Sequence, residues 1–277
     1  MNHKIGIVGM GYVGKAVEAV FRDKYKIFSY DINQKCTEKD LKSVVENADI
    51  IFVCVPTPMQ KDGACHIDIL STVIRDINEF NLEKDIVIKS TIPPSTSQKL
   101  QKDNANINII FNPEFMTEAN FYRDFLDQKR VILSGKNLDK VEQLFSINFP
   151  EAQIIKLPFG EAEVIKYFSN TLLATKVSFA NEMYSLCTKL GIDYEKVVNT
   201  LILDERIGSS HLAVPGPDGK LGFGGSCFPK DLSALIHIFK ENDVSSPILN
   251  AVWKRNNKID RSEKDWKELK GRAVVDD

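Results

Sequence analysis

The chain has 277 residues, is 43% hydrophobic and 27% charged, and carries a formal net charge of −2. This is a globular balance with room for two ordinary domains. Without a long basic block it argues against nucleic acid or an anionic membrane as the main partner. No apolar run reaches the roughly 20 residues of a membrane-spanning helix. The five cysteines (Cys36, Cys54, Cys65, Cys187, Cys227) contain no C-x-x-C pair. Neither a disulfide framework nor a metal site is therefore expected, and the expected location is a reducing cytoplasm.

In chain order, Lys4–Val8 predicts a short strand ending in Gly9-Met10-Gly11-Tyr12-Val13-Gly14. A helical pattern follows, with Val13, Val17, Val20 and Phe21 on one face. A second strand, Lys26–Tyr30, closes at Asp31. Strand, G-x-G-x-x-G, helix, strand and acid in this order is the fingerprint of a dinucleotide-binding Rossmann unit. The glycines let the backbone approach a pyrophosphate at the helix N-terminus. Asp31 lies 17 residues after Gly14. From there it can accept hydrogen bonds from adenosine ribose hydroxyls, which favours NAD over its 2′-phosphorylated form. The competing use of such a turn is packing alone.

Further strands are predicted at 50–55, 86–89, 107–111, 130–133 and 154–157, with helices at 39–47, 67–80, 94–102 and 137–147. This alternation predicts an α/β fold with a doubly wound parallel sheet, whose ligands gather at the carboxyl ends of the strands. Three of those ends carry polar or turn-forming groups: Val55-Pro56-Thr57-Pro58, Ser90-Thr91-Ile92-Pro93 and Asn112-Pro113-Glu114-Phe115.

After Gly160 the alternation stops. Residues 161–190 contain neither proline nor glycine and end at Gly191, a natural helix terminator. A helix of that length spans about 45 Å. It is predicted to cross between domains and to pack against a second copy in a homodimer. The expected organisation is a cofactor domain over 1–160 and an all-helical central and dimerisation domain over 161–277, with further helices at 193–202, 230–242 and 246–258. Lys166 and Asn170, four residues apart, share one face of the long helix.

A glycine-rich loop then leads into Phe223-Gly224-Gly225-Ser226-Cys227-Phe228-Pro229-Lys230-Asp231. A proline able to open a helix follows the cysteine. Cys227 is therefore expected at a helix N-terminus, with Lys230 and Asp231 one turn on. Both the helix end and the lysine favour a nucleophilic thiolate. The competing reading is an inert buried cysteine. The four histidines (His3, His66, His211, His237) have no triad-like context.

Taken together, GIVGMGYVG, VPTP, KSTIPP, NPEFMTEANF, EVIKYFSNTLLATKVSFANE, DERIG and FGGSCFPKD occur in one order. Over most of its length, to about residue 260, the chain resembles the UDP-glucose/GDP-mannose dehydrogenase family. The resemblance implies a four-electron oxidation of a nucleotide-sugar primary alcohol to a carboxylate with NAD. On it, Cys227 matches the nucleophile that forms a thiohemiacetal and then a thioester. Lys166 and Asn170 match the groups that bind the sugar oxygen. Asp231, Thr91 and Glu118 match groups that hold or activate water. Cofactor contacts fall on Gly9, Gly11, Tyr12, Val13, Gly14, Asp31, Thr57, Thr91, Glu118 and Lys230. Substrate contacts fall on Glu114, Phe115, Met116, Thr117, Glu118, Lys166, Asn170, Phe223 and Gly224. Arg206 matches an arginine reaching the neighbouring subunit's nucleotide phosphates, which implies a dimer.

Most family members are longer and carry a third, Rossmann-like domain over the nucleotide. This chain is expected either to be a naturally short form or to lack that C-terminal part. The 211–220 loop is longer than in many relatives, and Lys220 on it is expected to cover part of the substrate. UDP-glucose is the first expectation, with UDP-N-acetylmannosamine and GDP-mannose as alternatives. Two rival readings remain at this level. One is a single oxidation of the β-hydroxyacid dehydrogenase type, which needs no cysteine. The other is a non-catalytic protein binding NAD or a nucleotide sugar.

Overall fold

A computed structural model describes residues 3–276. They divide into two compact units, one of residues 3–57 and 66–166, the other of residues 58–65 and 167–276.

The first unit is built on seven strands: β1 (Lys4–Val8), β2 (Lys26–Tyr30), β3 (Ile50–Val53), β4 (Asp85–Ile88), β5 (Asn108–Phe111), β6 (Arg130–Gly135) and β7 (Gln153–Lys156). They lie in the order β2-β1-β3-β4-β5-β6-β7. The chain reverses its direction of winding between β1 and β3, which is where a doubly wound sheet opens its ligand crevice. The inner strands read as near-continuous Ile/Val/Phe runs because both faces are covered. Alternate side chains build two cores. Ile51, Val53, Ile86, Ile88, Ile109 and Phe111 pack with α2 (Leu41–Asn47), α3 (Asp68–Glu79) and α4 (Thr96–Asp103). Ile5, Ile7, Ile50, Phe52, Val87 and Ile110 pack with α1 (Tyr12–Phe21), α5 (Phe121–Leu126) and α6 (Asp139–Asn148).

One feature departs from the all-parallel expectation. β5 and β6 pair antiparallel, while β6 and β7 pair parallel. The 112–129 connection returns from the edge it left instead of crossing over. It carries α5, which rests beside α1 through the Tyr12 and Phe121 rings, 5.4 Å between centroids. The reversal keeps residues 112–129 on the carboxyl rim of β1, β3, β4 and β5. α4 begins after Ser95, whose φ is +74°, and no side chain of its own caps it. Glu163 does so from a distant segment, accepting from the Ser95 and Ser97 amides at 2.7 and 2.8 Å.

α7 (Phe159–Leu190) begins two residues before its predicted start and runs 32 residues, about 48 Å at 1.5 Å per residue. Its turns up to Lys166 belong to the first unit and the remainder to the second. The second unit continues with α8 (Tyr194–Leu201), a long loop, α9 (Cys227–Glu241), α10 (Pro247–Arg255), one π-helical turn at Asn256–Asp260 and a 3-10 turn at Asp265–Glu268. Residues 58–65 join this unit. The Met59 amide donates to the Ala273 carbonyl and the Val275 amide to the Met59 carbonyl, at 2.9 and 3.0 Å. Met59, Trp266 and Ala273 close a small core there. Among the described residues no helix is long and apolar enough to cross a membrane. The five cysteines form no disulfide.

Candidate active site

In the first unit the G-x-G-x-x-G turn has the geometry that its glycines require. Gly9 sits at φ +92°, and an added Cβ would meet the Cys54 carbonyl oxygen at 2.8 Å. At Gly14 an added Cβ would lie 2.0 Å from the Gly9 carbonyl oxygen. Gly11 differs, because nothing lies within 4 Å of its missing Cβ. It is also the N-cap of α1, and no side chain caps that end. The turn therefore offers open space and a helix N-terminus without a side-chain cap where a diphosphate would lie. Tyr12 and Val13 open the helix. Asp31 follows β2, and its carboxylate accepts from the Met10 amide at 2.7 Å and the Asn33 amide at 2.8 Å. Gln34 donates to the Met10 carbonyl at 3.0 Å. These residues fit a dinucleotide with a free adenosine 2′-hydroxyl. A 2′-phosphate would bring negative charge onto Asp31.

The other strand ends are tied to one another. Thr57 donates its hydroxyl to the Thr91 carbonyl at 2.7 Å, and Ser90 donates to the Val55 carbonyl. After β5, the Asn112–Glu118 segment forms the third rim. Lys166, 1% exposed, donates to the Glu114 carbonyl at 2.6 Å and to its carboxylate at 2.8 Å. The second Glu114 oxygen accepts the Met116 amide at 2.7 Å. Burial alone would push Glu114 up. The Lys166 charge and these hydrogen bonds outweigh it and hold the carboxyl below its usual range. Phe115 lies under two cations, with Arg130 at 4.4 Å and Lys166 at 5.5 Å from its centroid. Thr117 is exposed and bound to Asp124, and Glu118 is half-buried beside it.

In the second unit α9 starts at Cys227 itself, two residues before Pro229. Proline at the third helical position still removes an N–H that has no helical partner. Asp231, 1% exposed, accepts from the Asn170 amide nitrogen and from the Lys230 ammonium. Burial would push Lys230 down. The charges of Asp231, Cys227 and Cys65 and the hydrogen bond to Asp231 reverse that and raise it above its ordinary value.

The loop before Cys227 is held by residues that the sequence did not single out. The Gly222 amide donates to Asn181 at 3.1 Å. Asn256, fully buried, accepts from the Phe223 amide and donates to the Phe223 carbonyl, both at 2.9 Å. Arg261 pairs with Asp265 and Asp218, and its guanidinium lies so close to Gly224 that a Cβ there would fall 2.5 Å from it. These partners lie 33 to 40 residues away along the chain or on another helix, so no local pattern announces them.

Two predicted substrate residues stand apart. Arg206 is exposed and folds back onto Asp204. Lys220, also exposed, pairs with Asp265 at 2.8 Å and Glu263 at 3.7 Å within this unit.

Residues 35–149 match the NAD binding domain of the UDP-glucose/GDP-mannose dehydrogenase family, and residues 160–258 match its central domain. The chain is 38% identical to the UDP-glucose 6-dehydrogenase of Rickettsia bellii, over 76% of this chain and 50% of that one. It is 32% identical to the UDP-glucose 6-dehydrogenase TuaD of Bacillus subtilis, over 92% of this chain and 63% of that one. It therefore spans about half to two thirds of the curated relatives it matches. Among solved structures, a UDP-glucose dehydrogenase from Pyrobaculum islandicum superposes with a TM-score of 0.82 at 26% identity, covering 93% of this chain and 68% of that one.

Proposed function

Because the chain belongs to the UDP-glucose/GDP-mannose dehydrogenase family, we propose that it is the cofactor-binding and central part of an NAD-dependent nucleotide-sugar 6-dehydrogenase. The substrate of first choice is UDP-glucose and the product UDP-glucuronate. The observation that carries this reading is Cys227 in the first turn of α9, with Lys230 and Asp231 on the next turn. A single alcohol oxidation has no use for such a thiol, whereas a four-electron oxidation does.

NAD, held by Gly9, Gly11, Gly14 and Asp31, supplies the hydride acceptor for each of the two oxidations. Lys166 and Asn170, one helical turn apart on α7, bind the C6 oxygen and stabilise its negative charge as the alcohol loses its proton and hydride. The Cys227 thiolate adds to the resulting aldehyde carbon, and the carbonyl π-electrons move to oxygen as a thiohemiacetal. Loss of its remaining C6 hydride leaves a thioester. Water held by Asp231, Thr91 and Glu118 attacks the thioester and passes its two protons through that network to solvent, releasing the carboxylate and returning the sulfur as thiolate. The 114–118 segment, Phe223 and Gly224 line the sugar, and Lys230 contacts the cofactor. A working thiolate suits a reducing compartment, so the proposed location is the cytoplasm.

The assay is stoichiometric. With NAD and UDP-glucose, two NADH form per sugar consumed and the product is the acid. One NADH per sugar, or product stopping at the aldehyde, rules the reading out in favour of a single oxidation. GDP-mannose and UDP-N-acetylmannosamine assayed beside it decide the sugar.

The reading includes a homodimer through α7, in which Arg206 of one subunit serves the nucleotide of the other. Phe168, Leu172, Phe179, Leu186 and Leu190 are 50–63% exposed. At 100° per residue they fall within about 40° of one another on α7, a continuous apolar stripe. Wild-type protein at 10 μM should sediment as a dimer, and Phe179→Glu should weaken association by at least about tenfold. A wild-type monomer at that concentration would remove the dimer from the reading.

A further inference from the structure

The proposed mechanism leaves a buried cation of the first unit unused. Lys89, the residue after β4, is 2% exposed. Its ammonium donates to the Asn112 side-chain carbonyl at 2.7 Å and lies 5.1 Å from the centroid of the Phe125 ring on α5. Asn112, 1% exposed, passes the link on by donating to the Ile132 carbonyl of β6 at 2.7 Å. Two residues later Glu114 grips Lys166. The Asn112–Glu114 segment thus hangs between two buried ammonium groups, Lys89 holding its first residue and Lys166 its last.

A buried lysine is costly, since desolvation opposes its charge. A turn needing shape alone could be packed with apolar side chains at lower cost. We infer that Lys89 is a positioning residue, whose charged hydrogen bond to Asn112 sets the turn that aims Glu114 at Lys166. The inference rests on the function proposed above for Lys166 and deepens it. The charged and titratable groups facing Lys89 come from every neighbouring element: Cys54 after β3, Glu114 after β5 and Lys166 on α7. Burial pushes the Cys54 thiol up to about 12, so it is neutral at pH 7. Burial pushes Lys89 itself down to about 8, so at pH 7 the ammonium still holds its proton.

The test pairs two measurements at pH 7 on Lys89→Met, which keeps the length and loses charge and donor. Hydrogen exchange read by mass spectrometry should rise at least fivefold in peptides covering 112–118, with the β1–β4 peptides unchanged. The kcat for the nucleotide sugar should fall at least tenfold while KM for NAD stays within twofold. Lys89→Gln, which keeps a donor for Asn112, should recover part of both. Should Lys89→Met not accumulate folded, Asn112→Leu cuts the same link. Unchanged exchange in 112–118, a kcat within twofold of wild type, or loosening throughout the first unit would each overturn the inference. If the wild type oxidises no nucleotide sugar, the proposed function fails. The exchange measurement then judges Lys89 on its own.

Discussion

Cys227→Ser is expected to abolish acid formation, with kcat for two-step turnover down by about 10³-fold or more. Serine at this position keeps the shape of the first turn of α9. Its hydroxyl, however, is not ionised near neutral pH, and neither the helix end nor Lys230 brings it close to that. In the proposed mechanism the first oxidation does not involve sulfur, so a trace of aldehyde with one NADH per sugar should persist. Chromatography of the products beside NADH absorbance reads both quantities. Acid formation within tenfold of wild type would show that the cysteine is structural. Because Cys227 is only half-buried, the substitution should leave thermal stability within about 1 kcal/mol of wild type.

Lys166→Met should be the most destabilising substitution at the site, by about 3–5 kcal/mol at pH 7, because it strands the buried Glu114 carboxylate. In the wild type that carboxyl is held below its usual range despite burial. Its contribution to stability is therefore full above the unfolded value near 4.3. It is lost as pH falls through the depressed folded value. In Lys166→Met burial acts unopposed by its main partner and raises the group. The sign then reverses, and the variant loses stability as pH rises from about 4.3 toward the raised value. Melting curves of the two proteins should lie closest below pH 4 and separate by roughly 6–20 °C at pH 7. Adding Glu114→Gln to Lys166→Met should recover part of the loss at pH 7 and none at pH 4. A gap that does not change with pH would show that the pair is not the origin of the effect.

The strands of the first unit were legible because a two-sided buried sheet writes itself as short Ile/Val runs. β1 and β2 fall on their predicted residues, and the other strands lie within two residues of them. Strand direction carries no such local mark. The antiparallel β5–β6 pair follows from what the intervening segment packs on, and α5, at six residues, is too short to show a period. The candidate site residues could be named from the sequence where spacing matters, as for Gly9, Gly11 and Gly14 or Lys166 and Asn170. Their supports were not. Asn256 and Arg261 hold the cysteine loop from a π-helical turn and the residue after it. Lys89 reads in the sequence as the last residue of a predicted strand, and only the assembled sheet reveals it as a buried charge. Lys220 shows the converse: an exposed-looking cation on a polar loop is drawn into an ion-pair network by Asp265, a partner 45 residues away.

Asp31 carries a consequence for how the cofactor arrives. Its carboxylate already bonds the Met10 amide inside the glycine turn and the Asn33 amide beyond it, while Gln34 closes the other side of Met10. These bonds are made by the turn's own residues and need no dinucleotide to form. A turn ordered in this way at folding costs little further entropy on binding. In the proposed two-step oxidation, which exchanges its cofactor between steps, such a cradle is an advantage: release and rebinding are then expected to proceed without a loop refolding around the ligand.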